Sequence, residues 1–172
     1  MMEILRAARA LDLPDWMIGA GFVRNKVWDH LHGFDDAGTP NSGGSDIDLI
    51  YFDGSDLTWE KEIAYDERLK AIVDANWSAK NQARMHIKHD REDEYKNSEE
   101  ALSEWIETPT CVAVRLENDD TLTLFVPHGI DDLVNLIVRP SPVYLNDLEL
   151  FWSRVKGKHW QEKWPKLVVL EK

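Results

Sequence analysis

A single α+β domain is the fold class that three features of this 172-residue sequence predict: a mixed sheet flanked by helices, with a hairpin and further helices added toward the C-terminus. The first feature is a short apolar strand, Trp16-Met17-Ile18. It runs into Gly19-Ala20-Gly21 and then into Phe22, Val23, Val27 and Leu31 at helical spacing. The second is the segment 46–52, which begins polar at Asp46 and Asp48 and ends apolar on both faces, the pattern of a strand whose end is central in a sheet. The third is the parity over 77–87. There Trp77, Ala79, Ala83, Met85 and Ile87 are apolar, Asn81 is the exception, and Ser78, Lys80, Gln82, Arg84 and His86 are polar, which predicts a strand with one packed face.

The remaining elements follow in order. Ile4, Leu5, Ala8 and Leu11 predict a first helix that stops near Asp12, ahead of Pro14. The second helix reaches about His32, and the Gly-, Asp-, Pro-, Asn- and Ser-rich segment 33–45 reads as a loop. A third helix is expected over 60–73 with Ile63, Leu69, Ile72 and Val73 inward. The charged block 90–94 reads as a solvated linker or helix start, and 98–105 as a helix. Strands over 110–116 and 121–126 flank Glu117-Asn118-Asp119-Asp120, a turn composition that makes a hairpin. A helix beginning at Gly129-Ile130-Asp131-Asp132-Leu133, with Asp131 as N-cap or dipole partner, ends at Pro140 and Pro142. The basic, tryptophan-rich remainder reads as a packed helix with solvated lysines. The whole of 1–172 is expected to form one domain, with a core over about 1–90 and an accessory part after it.

Composition narrows the function classes. A formal net charge of -12 repels phosphate backbones and anionic lipid, so long nucleic acid and membranes are disfavoured partners. A nucleotide would need a local cationic pocket or a metal ion to overcome that field. Cys111 is the one cysteine, so no disulfide forms within the chain, and its apolar-leaning surroundings suit a buried structural thiol. With no continuous apolar run near the N-terminus and none long enough to span a bilayer, the expected location is the cytoplasm.

The chemistry-bearing residues are concentrated in the first half. Asp46 and Asp48, two apart on a strand, present two carboxylates to one face while Ile47 and Leu49 enter the other. Two hard oxygen ligands in this arrangement suit magnesium, whose remaining positions are filled by substrate phosphates and water. An Asp-x-Asp at the start of a strand also serves as a turn or cap, and taken alone it does not decide between the two. The upstream Gly19-Ala20-Gly21, between a strand and a helix, adds backbone N–H groups that can cradle phosphate oxygens, and Arg24 and Asn25 follow in the first helical turn.

These residues together resemble the nucleotidyltransferase superfamily, which shares its core with DNA polymerase beta. Its signature is a glycine-rich turn followed by a strand with Asp-hydrophobic-Asp-hydrophobic, matched here by Ile18-Gly19-Ala20-Gly21 and Ser45-Asp46-Ile47-Asp48-Leu49. More narrowly, the segments 16–25, 46–53 and 77–86 look like a bacterial nucleotidyltransferase-like family. The resemblance implies the polymerase beta-like fold and transfer of a nucleotidyl group from an NTP to an acceptor, with magnesium or manganese as cofactor. Asp46 and Asp48 would be the catalytic and metal-binding pair, with Gly19, Gly21, Arg24 and Asn25 on the nucleotide. The chain departs from the pattern at Gly-Ala-Gly, in its long loop before the acidic pair, and in lacking an acid on 77–87, where superfamily members place a third carboxylate. Asn81 could take that position as a neutral metal ligand, Lys80 and Arg84 could neutralise the triphosphate, or Glu107 or Glu117 could supply an acid from further along. The missing acid also motivates a second reading, a nucleotide-binding or protein-interaction module that has kept the fold without turnover.

Overall fold

In the computed structural model, which describes residues 1–34, 46–88 and 91–171, the sheet is built first from the two strands the sequence marks most strongly. Helix α1 (Met2–Arg9) buries Leu5, Ala7 and Ala8, and leads to β1 (Met17–Gly19) and α2 (Gly21–His32). Gly33 closes α2 in the left-handed region, with φ 74°. Strand β2 (Ile47–Tyr51) pairs antiparallel with β1, placing Met17 opposite Ile50 and Ile18 opposite Leu49. Most of the predicted 33–45 loop lies outside the described residues.

Helix α3 (Trp59–Ile72) then returns the chain to β3 (Trp77–Asn81), which lies parallel to β2 with Asp48 beside Ser78 and Tyr51 beside Asn81. Two expectations are corrected here. The strand predicted over 77–87 ends at Asn81, and a 3-10 turn (Gln82–Arg84) and helix α4 (Met85–Lys88) follow. The cause is local: the Asn81 side-chain oxygen accepts the Ala83 N–H at 3.1 Å, so the chain turns instead of extending. Ala83 and Met85 stay buried, but Ile87 is 73% exposed, so the alternation stops reporting burial where the chain turns.

The inward face of α3 is the second correction. Ile63 and Ile72 are 41% and 53% exposed, and the buried positions are Glu62, Tyr65 and Leu69. Strand β3 is an edge of the sheet, so its outward N–H groups need acceptors. Asp66 takes the Ala79 N–H at 2.6 Å and Glu62, one helical turn earlier, takes the Asn81 N–H at 2.9 Å. A helix that covers a strand edge turns carboxylates inward.

Helix α5 (Ser98–Ser103) is capped by Asn97, whose side chain accepts the Glu100 N–H at 2.8 Å. Arg91, in the block expected to be solvated, is half-buried and paired with Glu100 and Glu104. Strands β4 (Ala113–Leu116) and β5 (Leu122–Phe125) form the expected hairpin and extend the sheet on the other side of β1, giving the order β3-β2-β1-β4-β5. The helix expected from residue 129 is a single turn, α6 (Asp131–Val134), with Ile130 at the N-cap and Asp131 in the first turn. It gives way to β6 (Ile137–Val138). Helix α7 (Leu148–Lys158) is capped by Asp147 and broken from α8 (Trp160–Lys163) at His159, φ 51°, after which β7 (Val168–Val169) pairs with β6.

Two apolar clusters fill the two faces of the sheet. Ile18, Leu49, Tyr51, Ala79, Val114 and Leu116 join α1, α3 and the C-terminal tryptophans on one side. Met17, Ile50, Leu102 and Ala113, with Trp105 against them, form the smaller cluster on the other. Trp28, Trp160 and Trp164, far apart in sequence, meet edge to face with centroids 5.2–5.6 Å apart. Cys111 is buried and free, and among the described residues no helix is long and apolar enough to cross a membrane.

Candidate active site

The side on which Asp48 lies follows from the pleat. Ile47, Leu49 and Tyr51 pack into the larger cluster and Ile50 into the smaller, so Asp48, two residues before Ile50, belongs to the smaller cluster's face. Asp46 is exposed and Asp48 half-buried. Burial first, and then the Asp46 carboxylate, push the Asp48 carboxyl up to about 6, against the opposing pull of Arg24, Arg154 and Lys158. The two aspartates are therefore close enough to repel, and three cations lie within electrostatic reach.

The glycine turn beside them is packed rather than open. A Cβ at Gly19 would lie 3.1 Å from the Trp105 ring and 3.4 Å from the Val112 carbonyl, so the absent side chain makes room for Trp105. Ala20 adopts φ 49°, ψ -122°, a region L-residues rarely occupy, while its N–H donates to Val112 O at 2.9 Å and its carbonyl accepts from Val23 and Arg24. Gly21 opens α2, and the N–H groups of Gly21 and Phe22 come before the first bonds of the helix, which Val23 and Arg24 make to Ala20.

Arg24, one turn into α2, is only 6% exposed. Its guanidinium lies over Trp160 at 4.5 Å and Trp28 at 5.0 Å, donates to the Asn25 side-chain oxygen from Nε and Nη2, and donates from Nη1 to Thr110 Oγ1 at 2.7 Å. Burial pushes it down from 12.5 to about 10, Glu107, Asp48 and Asp46 favour its charge, and Arg154 opposes it. It is still a cation at neutral pH. Thr110 in turn donates to Glu107 Oε2 at 2.8 Å, and Glu107 Oε1 stands 2.6 Å from Arg154 Nε on α7, an ion contact in which the N–H is not aligned on the oxygen. Glu107 is fully buried. A chain of charge thus runs from Asp46 and Asp48 through Arg24 and Thr110 to Glu107 and Arg154.

The structure brings Gly19, Gly21, Arg24 and Asn25 together near the aspartates and separates them from the β3 residues. Lys80 Nζ is 3.3 Å from Glu62, and Arg84 makes two 2.8 Å hydrogen bonds to the same carboxylate. Asn81 lies about 10 Å further along β3 than Ser78, the neighbour of Asp48. It sits on the opposite face, and its amide is fully used by Asp53, Asp56 and Ala83. Among the possible third acids, Glu117 is bonded to Arg115 and Thr123 in the hairpin, and Glu107 is occupied by Thr110 and Arg154. The place beside Asp48 on β3 is Ser78, and among the described residues no group of three His, Cys, Asp or Glu side chains converges to hold a metal. Sequence reading did not single out Thr110 or Arg154 for the site, because neither lies in a motif and only the fold brings them to Arg24.

A cleft of about 570 Å³ adjoins this network, with Thr110 and Arg154 in its lining together with Trp105, Ile106, Tyr144 and Leu150. It lies between the segment leading into β4 and the start of α7.

A mixed sheet with an acidic pair at the start of a central strand and a glycine turn before the adjoining helix defines a nucleotidyltransferase-type domain. Residues 6–169 match the model of a nucleotidyltransferase family, and the chain belongs to that family. A solved NMR structure described as revealing a CCA-adding enzyme head domain shares 34% identity and a TM-score of 0.84, over 99% of this chain and 89% of that one. A CCA-adding enzyme solved with CTP shares 14% identity and a TM-score of 0.57, over 98% of this chain but 38% of that one. The same fold likeness holds for a CCA-adding enzyme solved with ATP, at 15% identity and a TM-score of 0.52, over 91% of this chain and 36% of that one. No curated protein matches the chain.

Proposed function

We propose that the protein transfers a nucleotidyl group from a magnesium- or manganese-bound NTP to an acceptor hydroxyl, with pyrophosphate leaving. The observation that carries this reading is the place of Asp46 and Asp48, two residues apart at the start of the central strand β2 and next to the strand that ends in the glycine turn: their carboxylates repel each other, and a divalent cation between them removes that repulsion. The donor set fits a hard ion, with two carboxylate oxygens from the protein and room for phosphate and water oxygens. When bound, such an ion polarises the phosphoryl oxygens of the substrate.

The chain's own residues have separate tasks in this reading. Asp46 and Asp48 orient the cation, and the first N–H groups of α2 face phosphate oxygens at the positive end of the helix. Arg24 is a buried, fixed positive charge beneath the aspartates, held by Thr110 and two tryptophans and so not free to move with the substrate. Lys80, Asn81 and Arg84, gathered around Glu62, serve the β3 edge and stand outside the proposed site. CTP and ATP accompany two solved relatives of the same fold, which supports an NTP as donor. With a net charge of -12, the protein suits a small acceptor better than a long RNA.

The test is titration calorimetry of each NTP with Mg²⁺ against the wild type and the Asp46→Asn, Asp48→Asn double variant, together with pyrophosphate release in the presence of candidate acceptors. Binding lost in the variant and pyrophosphate released by the wild type are expected. Equal binding by both proteins would remove the aspartates from the site. The missing acid beside Asp48, at Ser78, favours the second reading, a nucleotide-binding module without turnover, which predicts binding but no pyrophosphate.

A further inference from the structure

We propose that the cleft lined by Thr110 and Arg154 binds a flat aromatic ring carrying an anionic group, the ring against Trp105, Tyr144 and Leu150 and the anion on Arg154 and Lys88. Each of these residues is in the cleft lining, and its volume of about 570 Å³ suits a molecule the size of a nucleotide. The sign of the ligand follows from which polar groups remain uncommitted. The two acids of the cleft are already engaged: Glu104 accepts from the Tyr95 hydroxyl at 3.1 Å and faces Arg91 Nε at 3.5 Å, while Asp147 caps α7 through the Leu150 N–H at 3.1 Å. The Thr110 hydroxyl is spent on Arg24 and Glu107.

What is left consists of donors. Lys88 is exposed and has no hydrogen bond or ion pair among the described residues. Arg154 is held at Nε by a wholly buried carboxylate, yet its side chain remains 33% exposed, so the terminal nitrogens of the fork are preorganised for an incoming anion. The apolar side of the ligand follows from the walls. Leu150 is 42% exposed, and Trp105, Ile106 and Tyr144 in the same lining are half-buried, so an apolar surface meets solvent where a ring would cover it.

This inference rests on the nucleotidyl-transfer reading only for the source of the ligand, which is either the base and phosphate of the NTP or an aromatic, phosphorylated acceptor. The experiment separates the sources. Calorimetry is run in EDTA, so that no metal at Asp46 and Asp48 contributes and a failure of the transfer reading leaves the result untouched. The probes are ATP, CTP and 4-nitrophenyl phosphate. Binding of at least one is expected, weakened about tenfold in Arg154→Met and again in Leu150→Glu, which adds a like charge at an exposed position. Nucleotides alone binding would assign the cleft to the donor's base, and 4-nitrophenyl phosphate alone binding would assign it to the acceptor. No binding by any probe, or binding untouched by both substitutions, overturns the proposal.

Discussion

Arg24 on the helix after the glycine turn and Thr110, just before strand β4, are joined by a 2.7 Å hydrogen bond between guanidinium and hydroxyl. Glu107 completes the contact by accepting the same hydroxyl's proton at 2.8 Å. All three groups are buried, and the hydroxyl links the two opposite charges by accepting from one and donating to the other. Thr110→Val preserves shape and removes it. Urea unfolding should show a loss of about 1–3 kcal/mol, the cost of leaving buried charged partners short of one hydrogen bond. Thr110→Ser should recover most of it.

Asp48 makes stability depend on pH in an unusual direction for a carboxylate. Its folded value of about 6 lies above the ordinary 3.8, so folding favours the protonated form. The associated stability is fully present below 3.8 and is lost as pH rises through about 6. Asp48→Asn should therefore stabilise the protein at pH 8 by something on the order of 1–3 kcal/mol, and by much less at pH 4. Thermal melts in EDTA at the two pH values measure the difference; an equal shift at both would contradict the burial of this group.

Glu62 titrates in the opposite sense. Burial by itself would raise its carboxyl, but Arg84, the Asn81 N–H and Lys80 outweigh burial and hold it below 4.5. Its contribution is present above 4.5 and is lost as pH falls through the lower folded value. Glu62→Gln should cost about 2 kcal/mol at pH 7, from weakened charge-assisted bonds to Arg84, and the gap to wild type should close on acidification. Chemical denaturation at pH 7 and pH 4 reads both quantities.

Ala20 occupies φ 49°, ψ -122°, where a Cβ is costly. Backbone strain of this kind is worth about 1–3 kcal/mol, against about 1 kcal/mol for the extra unfolded-state freedom of glycine. Ala20→Gly should raise the melting temperature by a few degrees. A clear decrease would mean that the methyl group makes a packing contribution larger than the strain.

The strand that carries the acidic pair was legible because its end is apolar on both faces, and β2 appears within one residue of its expected start. The helix face of α3 was not legible, since Ile63 and Ile72 carry the apolar signal while the contacts are made by Glu62, Tyr65 and Asp66. Hydrophobic periodicity reports which side chains avoid water, and it is silent about a sheet edge that needs acceptors. The end of β3 was missed for a related reason, because one amide side chain outcompeted the ladder for the Ala83 N–H.

Local spacing by itself determined the order of strands and helices around the glycine turn and the α+β class, because each depends on neighbours a few residues apart. Tertiary structure alone decided that Arg24 is a buried fixture between Trp28 and Trp160, that Glu107 is buried against Thr110 and Arg154, and that Arg154 lines a cleft next to this network. Arg24 is separated from Thr110 and Trp160, and Glu107 from Arg154, by scores of residues, and a charge finds such a partner only after the sheet and helices have brought distant segments within a few ångströms of each other.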